Sequence, residues 1–268
     1  MPALYQVQAV NHSEQSENRI HSDDVAQQYG FRGALVGGVQ VFGYLSYPMV
    51  KSFGAEWLSR GTAEVRFLQP AYHGDWLSIE SEAGAGDAAR TFQVRALNEA
   101  GELLATLSTS ADEQPIDEHA TMTPADVNPT REEVRWDRLD VGEPYAAIHW
   151  QPDIEENLQH CAHTADDLEI YCEGDAPPVH PYYLLQQCNR AFSTRFVLPA
   201  WLHASSEIRF RRLLRVGQEI EILTVPLEKW ERRGHQFVRL YVAMWCGDQI
   251  STEVLHTAIF KIAERRVA

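Results

Sequence analysis

Cysteine, basic charge and long apolar runs are what this 268-residue chain has little of. Its four cysteines, Cys161, Cys172, Cys188 and Cys246, all lie in one half and form no Cys-x-x-Cys pair. That excludes the usual zinc and dithiol motifs and leaves idle thiols in a reducing compartment. Lys and Arg number 23 against 38 Asp and Glu, a formal charge of −15. So acidic a chain offers no broad basic face to a nucleic acid. An anionic ligand would have to be met locally: Arg209, Arg211, Arg212 and the Arg232-Arg233 pair are available, although a solvated strand edge and turn explain them equally well. No apolar run reaches the roughly 18 residues needed to cross a bilayer. Residues 1–11 show no basic patch followed by an apolar stretch, so a cytoplasmic protein without a membrane partner is expected. With 44% hydrophobic residues, the chain has enough apolar side chain for a substantial core.

What the chain does have is an internal repeat. Glu64-Val65-Arg66-Phe67 followed by Gly74-Asp75 matches Glu207-Ile208-Arg209-Phe210 followed by Gly217-Gln218, a constant offset of 143 positions (64 to 207, 74 to 217). At the same offset, positions 36–67 align with the later segment without a gap. A segment of that length with a matching glycine is the signature of duplication.

Each half then reads alike. After Val36-Gly37-Gly38, apolar residues Val41, Leu45, Met49 and Phe53 recur at helical spacing, and Gly54 supplies a stop. The counterpart runs through Leu184, Leu185, Cys188, Ala191, Phe192 and Phe196. Strand patterns follow each helix, over 63–68, 76–82, 91–97 and 103–110 in the first half and 207–213, 219–227, 237–245 and 251–262 in the second. A long helix followed by four antiparallel strands predicts an α+β fold in which a curved sheet wraps the helix. Residues 112–129, rich in Asp, Glu, Pro and Thr, read as a linker. The expected units are 1–125 and 130–268, their sheets joined into one. Such a duplicated unit carries its own two-fold pairing; further association into a homodimer is an additional expectation.

Residues 18–26, Asn18-Arg19-Ile20-His21-Ser22-Asp23-Asp24-Val25-Ala26, and then Tyr29-Gly30-Phe31 and Val36-Gly37-Gly38 carry a family likeness. They resemble the hydratase signature of MaoC-like proteins, and the Gln69-Pro70-Ala71-Tyr72-His73-Gly74-Asp75 turn is similar to one of that family. The resemblance implies a double hotdog fold and an acyl thioester, such as acyl-coenzyme A, held between the halves. The activity it implies is hydration of an enoyl thioester or dehydration of a 3-hydroxyacyl thioester, with no cofactor and no metal. His21 would be the acid/base and Asn18 a neighbour of the substrate; Gly37 and Gly38 would bring helix-start amides to the thioester carbonyl.

Two departures stand out. The catalytic aspartate of the family falls on Ser16, whose hydroxyl is far too weak an acid to act as a base at neutral pH. The histidine of the family's His-Gly step falls on Gly37, while His180 occupies the equivalent place in the second half. Glu17 is the adjacent carboxylate, and Arg19, where the family has proline, is a candidate for meeting a carboxylate or phosphate. Each residue also has a plainer role. His21 suits a helix-capping position before the acidic turn Asp23-Asp24, and Asn18 a tie within its loop. Gly37 and Gly38 suit a turn with unusual backbone angles, and His180 before Pro181 a structural helix start. His160 and His163 lie three apart on a helix expected over 154–164, as surface residues or as a pair lacking a third metal ligand. Three functions remain open: hydratase or dehydratase, thioesterase, and a non-catalytic acyl-thioester-binding protein.

Overall fold

The computed structural model describes residues 3–84, 91–110 and 115–263. Ten strands form a single sheet in the order β1-β3-β4-β5-β2-β9-β12-β11-β10-β7, every neighbouring pair antiparallel. The first half supplies β1 (Ala3–Gln8), β2 (Thr62–Phe67), β3 (Trp76–Ala83), β4 (Phe92–Leu97) and β5 (Leu103–Ser110). The second supplies β7 (Ile148–Trp150), β9 (Leu202–Phe210), β10 (Ile220–Arg232), β11 (His235–Cys246) and β12 (Gln249–Lys261). Two-residue strands β6 (Glu132–Glu133) and β8 (Phe196–Val197) pair separately, in parallel.

The halves meet where β2 pairs with β9, and the register there bears out the duplication. Glu64 stands opposite Glu207, its own repeat mate. Only a two-fold axis passing through that pair brings equivalent residues of antiparallel strands face to face. Helices α1 (Asp23–Gln28) and α3 (Ala55–Arg60) are short; the long helices of the repeat, α2 (Gly38–Phe53) and α5 (Pro181–Arg195), lie against each other over the sheet. Val41, Phe42, Tyr44, Leu45 and Met49 of α2 join Leu185, Cys188 and Phe192 of α5 in one buried core with the inward residues of the strands. Gly43 allows this approach: a Cβ there would stand 2.6 Å from Thr164 Cγ2 and 3.3 Å from Tyr182 Cβ. None of the described helices is long and apolar enough to cross a membrane.

Several features depart from the sequence pattern for physical reasons. Pro48 sits inside α2 and lacks the N–H that would bond the carbonyl of Tyr44; the Tyr5 hydroxyl, from the unforeseen strand β1, donates to that carbonyl at 2.6 Å instead. Strand β10 runs on to Arg232, past its predicted end at 227, β11 starts at His235, and the two close through Arg233 and Gly234, both at positive φ. The described part of the 112–129 segment packs down instead of running free. Ala120 is fully buried among Val225, Tyr241, Ala243 and Ile250, and the Asp117 amide donates to Glu253 Oε1 at 2.8 Å.

Candidate functional site

A cleft of about 1030 Å³ opens between the halves, large enough for a sizeable organic ligand. The first half contributes the loop around Asn18 and His21, the start of α2 and the Phe67–Ala71 turn; the second contributes α4 (Ile154–His163), α5 and the start of β9.

Asn18 ties the loop that carries His21 to the opposite half. Asn18 Nδ2 donates to the carbonyl of Trp201 at 3.0 Å, and the Trp201 amide returns a bond to Asn18 Oδ1 at 3.1 Å. The same Oδ1 caps the short helical turn Arg19–His21 by accepting from the Ile20 amide. The second Nδ2 hydrogen faces His21 Nε2 at 3.3 Å. Asn11 fastens the end of the turn through its bond to the His21 carbonyl.

These contacts fix both the direction and the tautomer of His21. Its Nδ1 lies 2.8 Å from the carbonyl of Leu35, an acceptor only, so Nδ1 carries the proton and Nε2 keeps its lone pair. Burial lowers the imidazole pKa from its ordinary value, against a smaller upward pull from the Leu35 carbonyl. The ring is therefore a neutral base at neutral pH. It lies beside Gly37, where an added Cβ would be 3.8 Å from His21 Cε1. Gly37 is the N-cap of α2 and has no side-chain cap bond, so the first amides of the helix are open toward the ring and the cleft.

The other predicted residues are placed differently. Ser16 lines the cleft, but its hydroxyl donates to the Asn18 carbonyl at 3.1 Å. Glu17 is also at the cleft, with both carboxylate oxygens on Arg131, at 2.8 and 2.9 Å, and Arg131 in turn donates to the Phe196 carbonyl. Neither is hydrogen-bonded to His21. Arg19 is exposed and does not line the cleft; its backbone amide bonds the Pro199 carbonyl. His180 does not line the cleft. It is fully buried, accepts from the Tyr182 amide as the cap of α5, and directs Nε2 to Asp166 at 3.2 Å. In the second half His180, the repeat mate of Gly37, is thus packed against Thr164 and Asp166. His160 is not a surface residue: it is buried, between the Glu156 carbonyl and Gln186. No cluster suited to a metal occurs among the described residues.

Several cleft residues carried no motif in the sequence. His203, at the start of β9, faces Gly38; it lies in the five residues by which β9 exceeds its predicted start. Arg190 of α5 is the cation among the lining residues, beside Gln186, Gln187 and Asn189. His12 and His163 stack at 3.8 Å, and Tyr183 donates to Glu156. Helical spacing puts the α4 and α5 residues on a shared face, but only the tertiary fold turns that face to the cleft.

No protein-family description matches the chain, and no curated protein matches it. Solved structures do. A candidate MaoC domain dehydratase from Chloroflexus aurantiacus superposes with a TM-score of 0.63 at 14% identity, over 97% of this chain and 95% of that one. A conserved hypothetical protein from Mycobacterium tuberculosis, described as having a double hotdog fold, gives 0.61 at 12% identity over 96% of both chains. The fold is a double hotdog. A candidate oleoyl thioesterase from Lactobacillus plantarum shares it, at a TM-score of 0.55 and 9% identity over 98% of both chains. At such identities the likeness is one of fold, and structures of this fold carry both dehydratase and thioesterase names.

Proposed function

We propose that this double hotdog protein binds an acyl-coenzyme A thioester in the cleft and adds water to its enoyl form or removes water from its 3-hydroxyacyl form. The observation that carries this reading is His21 itself. Its Nδ1–H is spent on Leu35, its Nε2 lone pair is retained, and its ring lies against the uncapped start of α2. In hydration, Nε2 takes a proton from water as the water oxygen bonds to C3 of the enoyl group. Negative charge moves to the thioester oxygen, where the Gly37 and Gly38 amides stabilise it. His21 then returns the proton to C2, so H and OH are added overall; dehydration is the reverse. Asn18 Nδ2 faces Nε2 at 3.3 Å, so its hydrogen must turn to the water oxygen when water takes up the Nε2 lone pair.

One imidazole does this work without a carboxylate partner, because Ser16 replaces the acid of the resembling family and Glu17 is engaged by Arg131. A second reading, thioester hydrolysis, draws on the shared fold of the candidate oleoyl thioesterase, which superposes over 98% of both chains. The test is to incubate the protein with crotonyl-coenzyme A while following the enoyl absorbance and free thiol together. Loss of absorbance without thiol supports hydration; thiol release establishes hydrolysis; neither, with a ligand-raised melting temperature, leaves a binding protein.

A further inference from the structure

We propose that His203, brought by β9 of the second half, is a second hydrogen-bond donor to the thioester carbonyl, forming with the Gly38 amide an oxyanion site that neither half contains alone. This deepens the thioester reading and rests on it. Geometry puts the two donors together. A Cβ on Gly38 would lie 3.2 Å from His203 Cβ, 3.3 Å from His203 Nδ1 and 3.4 Å from Phe67 Cε2, whose ring packs against His203 at 4.6 Å between centroids. His203 lines the cleft, and its Nδ1 is buried with no hydrogen-bond partner among the described residues.

Behind it runs a short chain of bonds that sets which ring nitrogen holds the proton. His203 Nε2 lies 2.8 Å from Ser206 Oγ, and Ser206 Oγ lies 3.0 Å from His256 Nδ1. The far nitrogen, His256 Nε2, is also buried without a partner. A hydroxyl donates once, so the chain has two directions. In one, Ser206 donates to His256 and His203 donates to Ser206. The His256 proton then sits on Nε2, an orphan N–H inside a residue of 0% exposure. In the other, His256 Nδ1–H donates to Ser206, Ser206 donates to His203 Nε2, and the His203 proton sits on Nδ1 beside Gly38. A buried N–H without an acceptor is costlier and rarer than an unused lone pair. Each direction leaves one buried N–H without a protein acceptor, on His256 Nε2 or on His203 Nδ1; of the two residues His203 is the one that lines the cleft, so a ligand oxygen bound beside Gly38 would accept from Nδ1 and select the second direction.

The donor is a neutral imidazole: burial and the neighbouring His256 push the His203 pKa well below its ordinary value, against a smaller pull from the Ser205 backbone. A neutral N–H can stabilise enolate charge without first being ionised, and fixed donors of this kind each contribute heavily to such reactions.

The test uses 2,4-hexadienoyl-coenzyme A, a chromophore whose absorption moves to longer wavelength when its carbonyl is polarised, with the full chain and its His203→Phe, His203→Asn and Ser206→Ala variants. Wild type is expected to red-shift the bound ligand. His203→Phe should lose most of the shift and about 10²-fold in kcat/KM for hydration, mainly in kcat. His203→Asn, which keeps an N–H close to the Nδ1 position, should retain part of the shift, and Ser206→Ala should weaken it by releasing the tautomer. Bound ligand with an undiminished shift in both His203→Phe and His203→Asn would overturn the assignment while leaving the thioester site intact. Absence of any binding by wild type would remove the thioester reading, and this assignment with it.

Discussion

Asn18→Ala tests how the site is held together. The side chain joins the His21 loop to the opposite half through a reciprocal pair of bonds with the Trp201 backbone, and Trp201 is 5% exposed. Truncation leaves the Trp201 N–H and C=O without protein partners. Each buried, unpaired backbone group costs about 1–3 kcal/mol. Asn18 is only half-buried, so water reaches part of the gap, and the Arg19–Pro199 backbone bond at 2.8 Å still bridges the halves. The lower part of each range applies, about 2–3 kcal/mol in total. For a chain of this size that is a fall in Tm of roughly 5–10 °C. Thermal and urea unfolding monitored by circular dichroism measure it. Asn18→Asp separates this tie from the catalytic contribution: it keeps the acceptor for Trp201 N–H but sets negative charge beside His21 Nε2, which raises the His21 pKa. A Tm for Asn18→Ala within a degree of wild type would refute the idea that this side chain clamps the two halves at the site.

Further outcomes follow from the same structure. Tyr5→Phe strips the hydroxyl from the Tyr44 carbonyl that Pro48 leaves unbonded, and should cost about 2 kcal/mol in urea unfolding at constant slope. Acid should destabilise the fold. His256 is held neutral with its pKa pushed down to about 3, whereas the unfolded chain binds that proton near the ordinary 6.5. Its stabilising contribution is complete above about pH 6.5 and is lost as pH falls, by about 3 kcal/mol at pH 4, and His256→Gln should flatten that part of the pH dependence. Ser16→Asp places a carboxylate at the cleft on the His21 loop and should raise the hydration rate, read as kcat with crotonyl-coenzyme A; an unchanged or lower kcat would refute this.

The duplication was legible because both copies keep the helix-to-strand segment in register, and the Glu64–Glu207 pairing makes that offset visible as an axis. The α2 and α5 cores followed from helical spacing. Strand β1 was missed, although Val7 alternates inward, because six residues at a terminus carry no turn signal to bound them. The tie expected of Asn18 within its loop is the cap it places on Ile20; its bonds to Trp201 had no signal in the sequence. His203 and Arg190 had none either, since what brings them to the cleft is the pairing of β9 across the two halves and the docking of α5, long-range contacts that no local pattern records. His180 shows the reverse problem: its place in the repeat suggested a site residue, but its side chain is spent on the cap of α5 and on Asp166.

The most direct test of the central claim is the pH dependence of kcat/KM for hydration of crotonyl-coenzyme A by wild type and by His21→Gln. Burial lowers the His21 pKa, so the wild-type rate should hold on the alkaline side and fall only as pH drops through a value below the ordinary 6.5, where Nε2 becomes protonated. His21→Gln should lose about 10²–10⁴-fold and the acid limb with it. A variant that keeps the wild-type rate and its acid limb would contradict the assignment of His21 as the proton carrier.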